Sequence, residues 1–307
     1  MASHPTGDQW SVHFGDQELV VVEVGGGLRT YSVGGVDVLA GYGADEPCVA
    51  GRGQILVPWP NRIRDGKYTF AGREHVLSLS EPAKGNASHG LVRWQPWTLA
   101  ERGDTHVAVE TRLHPQPGWD WSLDLLIRYE LSEQGLAVTS TARNVDELPA
   151  PYGYGAHPYV SIGDLPADVV RLHVPADRWL RVDAERSLPE GIEDVADTDR
   201  DFREARALGD TSLDTAYTSI HRDRDGRWTV SLEGLLGGTV RVWGDEAFPW
   251  LQVFTGRATS DTEGTNGIAV EPMTCPPDAF NSGESLVVLQ PGEEWSGQWG
   301  IRLMTGQ

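Results

Sequence analysis

The chain has 307 residues, of which 39% are hydrophobic and 23% charged, a composition that is typical of a globular protein and excludes a disordered one. With 25 Lys and Arg against 45 Asp and Glu, the net charge is −20, which disfavours nucleic acids and anionic membranes as partners. The sequence contains no run of about 18 apolar residues, so no membrane-spanning segment is predicted.

The N-terminal residues and the cysteine content predict a cytoplasmic protein. The first ten residues, MASHPTGDQW, contain neither the basic region nor the apolar core of a secretory signal peptide. Cys48 and Cys275 are the two cysteines, fewer than a secreted disulfide scaffold carries. In a cytoplasmic protein the glycosylation sequon at 86–88 is expected to be a chance match.

Alternation of apolar and polar residues predicts β-strands along most of the chain. Residues 18–42, ELVVVEVGGGLRTYSVGGVDVLAGY, indicate three strands separated by two glycine turns. Residues 67–77, KYTFAGREHVL, predict a hairpin with its turn at Ala71-Gly72. In residues 121–145 every second position from Leu123 to Leu131 is apolar, and a return strand is predicted after a turn at 133–135.

The last third of the chain continues this pattern after one predicted helix. Residues 197–210, DTDRDFREARALGD, favour a short peripheral helix, with Asp199 as its cap and Gly209 as its end. Further strands are predicted at 227–234, 238–246, 250–256, 267–273 and 285–303. With no linker and no fixed repeat, we predict an all-β protein, a large antiparallel β-sandwich with few short helices, forming a single domain over residues 1–307.

Several motifs that would specify other chemistries are absent from the sequence. There is no G-x-x-x-x-G-K-[ST], no G-x-G-x-x-G that opens a helix, no H-E-x-x-H and no C-x-x-C. The nucleophile elbow G-x-S-x-G is also missing. Phosphoryl transfer, dinucleotide-dependent redox chemistry, zinc proteolysis and α/β-hydrolase chemistry are therefore disfavoured.

Polar residues in two proline-stiffened segments are candidates for function. In VPWPNRI, Asn61 and Arg62 follow two prolines, and a guanidinium fork can bind two acceptors at once. The alternative is a stiff loop that leads into a hairpin, with Arg62 in solvent. In YGYGAHPYV, His157 follows Gly153 and Gly155 and precedes Pro158, which restricts it to extended geometry. That histidine is fixed either for packing or for proton transfer.

Three further residues are candidates of different strength. His89, in NASHGLVRWQPW, and Asp214, in SLDTAYTSI, each have an ordinary structural explanation when they are taken alone. Glu271 interrupts the apolar strand GIAVEPM and precedes a proline, and a carboxylate in that setting has to be paired or functional. One carboxylate and two imidazoles on a β scaffold with 12 tryptophans suggest acid–base chemistry on a sugar, although a glycosidase would fit as well.

Five motifs together resemble those of the aldose 1-epimerase (galactose mutarotase) family. They occur in the family's order, and the resemblance extends over nearly the whole chain. The motifs are PWPNRIRDGKYTFAG, HGLVRW, GYGAHPYV, LDTAYT and AVEP. The resemblance implies a large antiparallel β-sandwich that interconverts the α and β anomers of free aldoses without a cofactor or metal. It also implies a small monosaccharide as the partner of a monomer or homodimer.

The resemblance also assigns roles to individual residues. Glu271 is similar to the family's general base, His157 to its general acid, and His89 to its second active-site histidine. Arg62 and Asp214, with Asn61 adjacent, correspond to residues that bind sugar hydroxyls. Trp250 and Gln252 are also predicted to contact the substrate.

The chain departs from the larger branch of the family, and this leaves the preferred sugar open. Leu91 follows the single Gly90 where that branch has a second glycine, so the chain resembles a separate, bacterial-type branch. A hexose-6-phosphate 1-epimerase is one alternative, with Arg52, Arg64 or Arg93 supplying a phosphate pocket. A non-catalytic sugar-binding protein or accessory domain is another, and it would use Trp59, Trp94 and Trp250 as stacking platforms.

Overall fold

The computed structural model describes residues 4–235, 238–256 and 266–305, and this part of the chain is dominated by β-strands. In chain order the strands are β1 (Gln9–Phe14), β2 (Gln17–Val22), β3 (Leu28–Val33), β4 (Val36–Asp37), β5 (Ile55–Leu56), β6 (Arg62–Arg64), β7 (Lys67–Phe70), β8 (Arg73–Val76), β9 (Asn86–Ser88), β10 (Thr98–Arg102), β11 (His106–Leu113), β12 (Leu123–Ser132), β13 (Gly135–Asn144), β14 (Ala150–Tyr152), β15 (Gly155–Ala156), β16 (Tyr159–Ser161), β17 (Arg171–His173), β18 (Ala176–Val182), β19 (Pro189–Asp194), β20 (Arg206–Ala207), β21 (Asp214–Ile220), β22 (Trp228–Leu235), β23 (Gly238–Gly244), β24 (Trp250–Phe254), β25 (Gly267–Met273), β26 (Val287–Leu289) and β27 (Glu294–Thr305).

Helical structure in the described residues is limited to three short segments. Two 3₁₀ turns lie at Pro82–Lys84 and Ala167–Val169, and helix α1 spans Ala279–Ser282. None of the helices in these residues is long and apolar enough to cross a membrane.

Two large antiparallel sheets form the β-sandwich that the sequence predicts. The nine-stranded sheet has the order β10-β11-β12-β13-β27-β23-β22-β17-β20. The eight-stranded sheet has the order β19-β18-β21-β24-β25-β15-β5, with β16 also paired to β25. A four-stranded sheet, β1-β2-β3-β4, and three two-stranded ribbons complete the described strands.

The alternating residues of β12 and β13 build the core of the nine-stranded sheet. Leu125 and Ile127 on β12, like Val138 on β13, are buried, and their neighbours along each strand are more exposed. They belong to one hydrophobic cluster that also contains Val253 of β24 and Val270 of β25. The cluster therefore joins the two large sheets, as expected when each sheet buries one apolar face.

The predicted hairpin at 67–77 is confirmed, and the type of its turn explains the glycine at position 72. β7 and β8 pair antiparallel with Phe70 opposite Arg73, which leaves a two-residue turn. Ala71 and Gly72 both have positive φ values, 50° and 77°, as a type I′ turn requires.

The predicted helix over 197–210 is wrong. Residues 196–200 form turns, and β20 (Arg206–Ala207) pairs with β17. The Phe202 carbonyl accepts a hydrogen bond from the Val174 N–H, and its side chain is buried in the core. Arg203 binds Asp201 with two nitrogens. These tertiary and side-chain contacts outweigh a weak helical preference.

Gly153 and Gly155 allow the chain around β15 to pack directly on the proline-rich segment. A Cβ built on Gly155 would lie 2.7 Å from Pro60 Cβ, and one built on Gly153 would lie 2.7 Å from Cys275 Sγ. The Gly153 N–H also donates to the Pro58 carbonyl. These glycines are therefore needed for packing behind the predicted site residues.

We expect Gly153→Ala to destabilise the fold by about 1–3 kcal/mol, because the added methyl group overpacks a close contact. Gly153 does not have a positive φ, so the cost comes from the contact and not from backbone strain. Urea unfolding gives the free energy directly. In a Cys275→Ala background, where Sγ is removed, the same substitution should cost less. Equal costs in the two backgrounds would show that the contact is not responsible.

Candidate active site

Residues that are distant in the sequence meet at a cleft of about 700 Å³ beside β25. This volume lies within the range of small-molecule sites. Six of the eight predicted site residues line the cleft, namely Asn61, Arg62, His89, His157, Asp214 and Glu271. The other two, Trp250 and Gln252, do not line it.

The position of His157 is fixed by its backbone and by its ring. Its N–H donates to the Gln54 carbonyl at 3.1 Å, and its carbonyl accepts from the Gly53 N–H at 2.9 Å. The imidazole stacks on the Tyr159 ring, with centroids 4.9 Å apart and planes at 20°. Gly51 also lies against the ring, since a Cβ built there would be 3.2 Å from His157 Cδ2. Rotation of this imidazole is therefore restricted.

Glu271 lies in the middle of β25, a strand whose seven residues are all buried. Its side chain is held at the cleft by the sheet, where Glu271 pairs with Gln252 of β24. Its Oε1 lies 3.4 Å from Nε2 of His157, and the two residues are 2% and 6% exposed. A carboxyl group and an imidazole therefore share one buried position in the cleft.

Burial determines the protonation of this pair. It lowers the pKa of His157 to about 3, with a smaller effect from the Arg93 charge in the same direction. Burial, assisted by the negative charge of Asp214, also raises the pKa of Glu271 well above its usual value, against the opposing charge of Arg62. Both shifts favour the uncharged form. Burial therefore acts against the charged form of both partners, the carboxylate of Glu271 and the imidazolium of His157.

His89 is positioned next to this pair by an unusual backbone conformation. Its φ is 61°, in the left-handed region, where His and Asn occur more often than most residues. Asn61 also has a positive φ, 54°, and its carbonyl accepts a hydrogen bond from the His89 N–H at 2.8 Å. The His89 and His157 rings are 5.6 Å apart in an edge arrangement. Burial, with the Arg93 charge, lowers the pKa of His89 well below its ordinary value.

Arg62 is held on one edge by Glu81 and faces Asp214 on the other. Its Nε and Nη2 donate to the two oxygens of Glu81 at 2.8 and 3.2 Å. Its Nη1 donates to Asn61 Oδ1 at 3.3 Å and lies 3.9 Å from Asp214 Oδ2. Burial disfavours the charge of Arg62, but Glu81 and Asp214 outweigh it and raise the Arg62 pKa.

Gln252 lies behind the cleft, in contact with a residue that lines it. Its Nε2 donates to Asp214 Oδ1 at 2.5 Å, and it borders a small void together with Arg62 and Asp214. Its own Oε1 is buried and has no hydrogen-bond partner among the described residues. In this structure Gln252 orients Asp214.

Of the tryptophans considered as stacking platforms, only Trp94 is exposed. It is 61% exposed and lines the cleft. Trp250 is 1% exposed and packs in a small cluster with Leu180 and Met273, and Trp59 is 2% exposed. The expectation that Trp59 and Trp250 offer a ring face to a sugar is therefore corrected, because both rings are enclosed by protein.

The three arginines considered for a phosphate pocket also have different surroundings. Arg52 donates to the Gly41 carbonyl, and Arg64 is paired with Asp278 at 3.3 Å. Neither lines the cleft, whereas Arg93 does.

Sequence reasoning missed Glu81, Lys84 and Tyr159, which also line the cleft. Tyr159 lies within the YGYGAHPYV motif but has no predicted role, and Glu81 and Lys84 belong to no motif. Among residues 4–235, 238–256 and 266–305, no three His, Cys, Asp or Glu side chains are grouped so that they could hold a metal ion.

The sequence is similar to known proteins over most of its length. A family model described as aldose 1-epimerase matches residues 8–302. The chain is 32% identical to the uncharacterized protein YihR of Escherichia coli (strain K12) over 291 residues, which cover 94% of this chain and 91% of YihR. It is 26% identical to the aldose 1-epimerase of the same organism over 280 residues, 80% of this chain and 77% of that protein.

Solved structures show the same fold at lower sequence identity. The GalM/aldose epimerase homologue from C. elegans has a TM-score of 0.84 at 17% identity, covering 98% of this chain and all of that one. Galactose 1-epimerase from Lactobacillus acidophilus NCFM has a TM-score of 0.78 at 21% identity, covering 96% and 94% of the two chains. The β-sandwich is therefore shared with galactose mutarotase-like proteins.

We expect His157 to stay uncharged from neutral pH down to about pH 4, because its pKa is lowered to about 3. In the unfolded chain it should titrate near its ordinary value of about 6.5. Between these two values the unfolded state binds the extra proton, so this residue should reduce stability as the pH falls from about 6.5 towards 3. NMR titration of the imidazole nitrogens, in folded and urea-unfolded protein, measures both pKa values. Protonation of His157 near pH 6.5 in the folded protein would contradict the assignment.

Proposed function

The chain belongs to the aldose 1-epimerase family, and from this premise we propose that it is a cofactor-independent isomerase that interconverts the α and β anomers of a free aldose. The observation that supports this most directly is the contact between the Glu271 carboxyl group and the His157 imidazole inside the cleft. Mutarotation requires one group that takes a proton and one that gives a proton, both at the same hemiacetal carbon. The pair meets that requirement.

Two polar atoms of this pair have unused hydrogen-bonding capacity. Glu271 Oε2 and His157 Nδ1 are buried and have no hydrogen-bond partner among the described residues. A buried polar atom without a partner is unfavourable, so a ligand that supplies one is favoured. The hydroxyl groups of a sugar both donate and accept hydrogen bonds, and they would satisfy these atoms.

In the proposed reaction each of the two groups transfers one proton. Glu271 removes the proton of the anomeric hydroxyl, the bond between C1 and the ring oxygen breaks, and His157 protonates the ring oxygen. The open aldehyde rotates about its C1–C2 bond and closes on its other face, while both protons return. Each such acid or base contributes about 10²- to 10⁴-fold to the rate.

The buried environment supports this sequence of proton transfers. Ring opening starts from the charged pair, carboxylate and imidazolium, and ends with both groups neutral. Because burial favours the neutral forms of Glu271 and His157, it favours the proton distribution of the ring-opened state. The 3.4 Å separation of Glu271 Oε1 and His157 Nε2 also allows a proton to move between the two groups.

The neighbouring residues would bind the sugar. We propose that Arg62 and Asp214 bind hydroxyl groups, with Asn61 orienting Arg62, and that His89 contacts the ring oxygen or the anomeric hydroxyl. His89 Nδ1 is likewise buried without a partner among the described residues, and a sugar hydroxyl could supply one. We also propose that residues 1–307 act as a single domain, since one hydrophobic cluster joins both large sheets.

A phosphorylated aldose is a second candidate substrate, and the surroundings of Arg93 favour it. No carboxylate lies within 4.0 Å of Arg93 in the described part of the chain, and its Nε is buried without a partner there. Burial lowers the pKa of Arg93, as expected for a cation that is not paired. A phosphate group on the substrate would neutralise this charge.

We expect Glu271→Gln and His157→Asn each to reduce the enzymatic rate by about 10²- to 10⁴-fold, because each removes one proton-transfer group. The rate is measured by polarimetry on freshly dissolved α-glucose and α-galactose, after subtraction of the spontaneous exchange. Circular dichroism checks that the fold is retained.

His221→Asn and Glu233→Gln are matched controls, since they make the same chemical changes outside the cleft and should leave the rate unchanged. Near-normal rates in the folded Glu271→Gln or His157→Asn protein would reject the role of that residue. Binding of the sugar without any faster exchange in the wild type would favour a non-catalytic sugar-binding protein.

If the substrate is phosphorylated, Arg93→Met should lower kcat/KM for glucose 6-phosphate by about 10- to 100-fold, the effect of losing a charge-assisted hydrogen bond. In the same variant kcat/KM for free glucose should change by less than about threefold, because the free sugar lacks the charged phosphate group. NMR exchange between the two anomeric protons measures both substrates. Equal effects on the two sugars would argue against a phosphate site at Arg93.

A further inference from the structure

Glu81 makes two hydrogen bonds with Arg62, one of the predicted sugar-binding residues, and no motif pointed to it. Its carboxylate accepts two hydrogen bonds from Arg62, which makes a two-point ion pair. Such pairs fix orientation as well as charge, because both planar groups have to be aligned. The Arg62 side chain is 14% exposed and that of Glu81 25%, so solvent competes little for this contact.

The local fold holds Glu81 in place. It precedes the 3₁₀ turn Pro82–Lys84, and its backbone N–H and carbonyl are both hydrogen-bonded to Asn86. Asn86 lies at the start of β9, and β9 pairs with β6, the strand that begins with Arg62. The carboxylate and the guanidinium are thus carried on neighbouring segments of one small ribbon.

Contacts on the far side of Glu81 restrain its carboxylate as well. Asn86 Nδ2 lies 3.4 Å from one oxygen, and Lys84 Nζ lies 3.7 Å from the other. Asn86 is fully buried and is itself held by Arg186, whose Nη2 donates to Asn86 Oδ1 and to the Gly85 carbonyl. These contacts hold the Glu81 carboxylate in place, so that it can fix one edge of the Arg62 guanidinium.

This arrangement leaves Arg62 with donors for a ligand. A guanidinium carries five N–H groups. Two of them bind Glu81, and a third binds Asn61 Oδ1. The two remaining N–H groups have no hydrogen-bond acceptor in the described part of the chain, and Arg62 lines the cleft beside Asp214.

We propose that Glu81 is a positioning residue for sugar binding, which acts by holding one edge of Arg62 so that its free N–H groups point at the substrate. The inference rests on the proposed function. Without Glu81, Arg62 is free to move towards Asp214, whose Oδ2 already lies 3.9 Å from Arg62 Nη1. Arg62 would then fill space that the sugar needs, and its positive charge would no longer be offered to the sugar.

The test is the isosteric variant Glu81→Gln, compared with Glu233→Gln, which removes a carboxylate from the exposed pair with Arg171. We expect KM for the best aldose to rise about 10- to 100-fold in Glu81→Gln, the effect of losing charge-assisted hydrogen bonds to the sugar. We expect kcat to stay within about threefold, because the proton-transfer pair is untouched. Glu233→Gln should change neither constant. A fall in kcat with unchanged KM would overturn the proposal.

A double-mutant cycle with Arg62→Met separates positioning from a general structural role. If Glu81 acts through Arg62, Glu81→Gln should have almost no further effect on kcat/KM once Arg62 is Met. Equal effects of Glu81→Gln in both backgrounds would refute the proposal.

A crystal structure of Glu81→Gln provides a readout that does not depend on catalysis. The Arg62 guanidinium should be displaced or disordered, and an unchanged Arg62 would overturn the positioning role. If the wild-type protein accelerates no anomeric exchange, the proposed function fails, and this structure still tests the role of Glu81.

Discussion

The site depends on one contact, between the carboxyl group of Glu271 and the imidazole of His157, made by two almost fully buried side chains. A carboxylate and an imidazolium are each costly there if left alone, and burial shifts the pKa of both groups towards their neutral forms. Much of the surrounding structure maintains this condition. β25 is buried along its whole length, and the His157 ring is stacked on Tyr159.

A β-sandwich suits such a site because neighbouring strands place distant residues side by side. Glu271 and Gln252 are cross-strand partners, and Gln252 in turn holds Asp214. On the other side of the cleft, the backbone hydrogen bond from His89 to Asn61 joins the segments that carry the second histidine and Arg62. Polar side chains are thereby fixed by backbone pairing, which is more rigid than a loop.

The sequence contained most of this fold, but only part of the site. Alternation along β12 and β13 predicted their buried faces, because a half-buried strand has a period of two. The prediction of a helix over 197–210 was wrong because local helix propensity does not reveal the contact between Arg203 and Asp201 or the burial of Phe202. The sequence places Gly153 and Gly155 before His157, but only the structure shows that they pack on Cys275 and Pro60. The contact of Glu81 with Arg62 and the burial of Trp250 involve residues that are distant in the sequence, so no local pattern predicts them.

The exposure of Trp94 allows the entrance of the cleft to vary between related proteins. It stands at the mouth of the cleft with Val49, which is also exposed, and neither residue belongs to a strand or supports the Glu271–His157 pair. Substitutions at these two positions would change the shape of the entrance at little cost to folding. Under the proposed function, the residues at the entrance are therefore separate from the proton-transfer pair, and the entrance can change in evolution while the pair is retained.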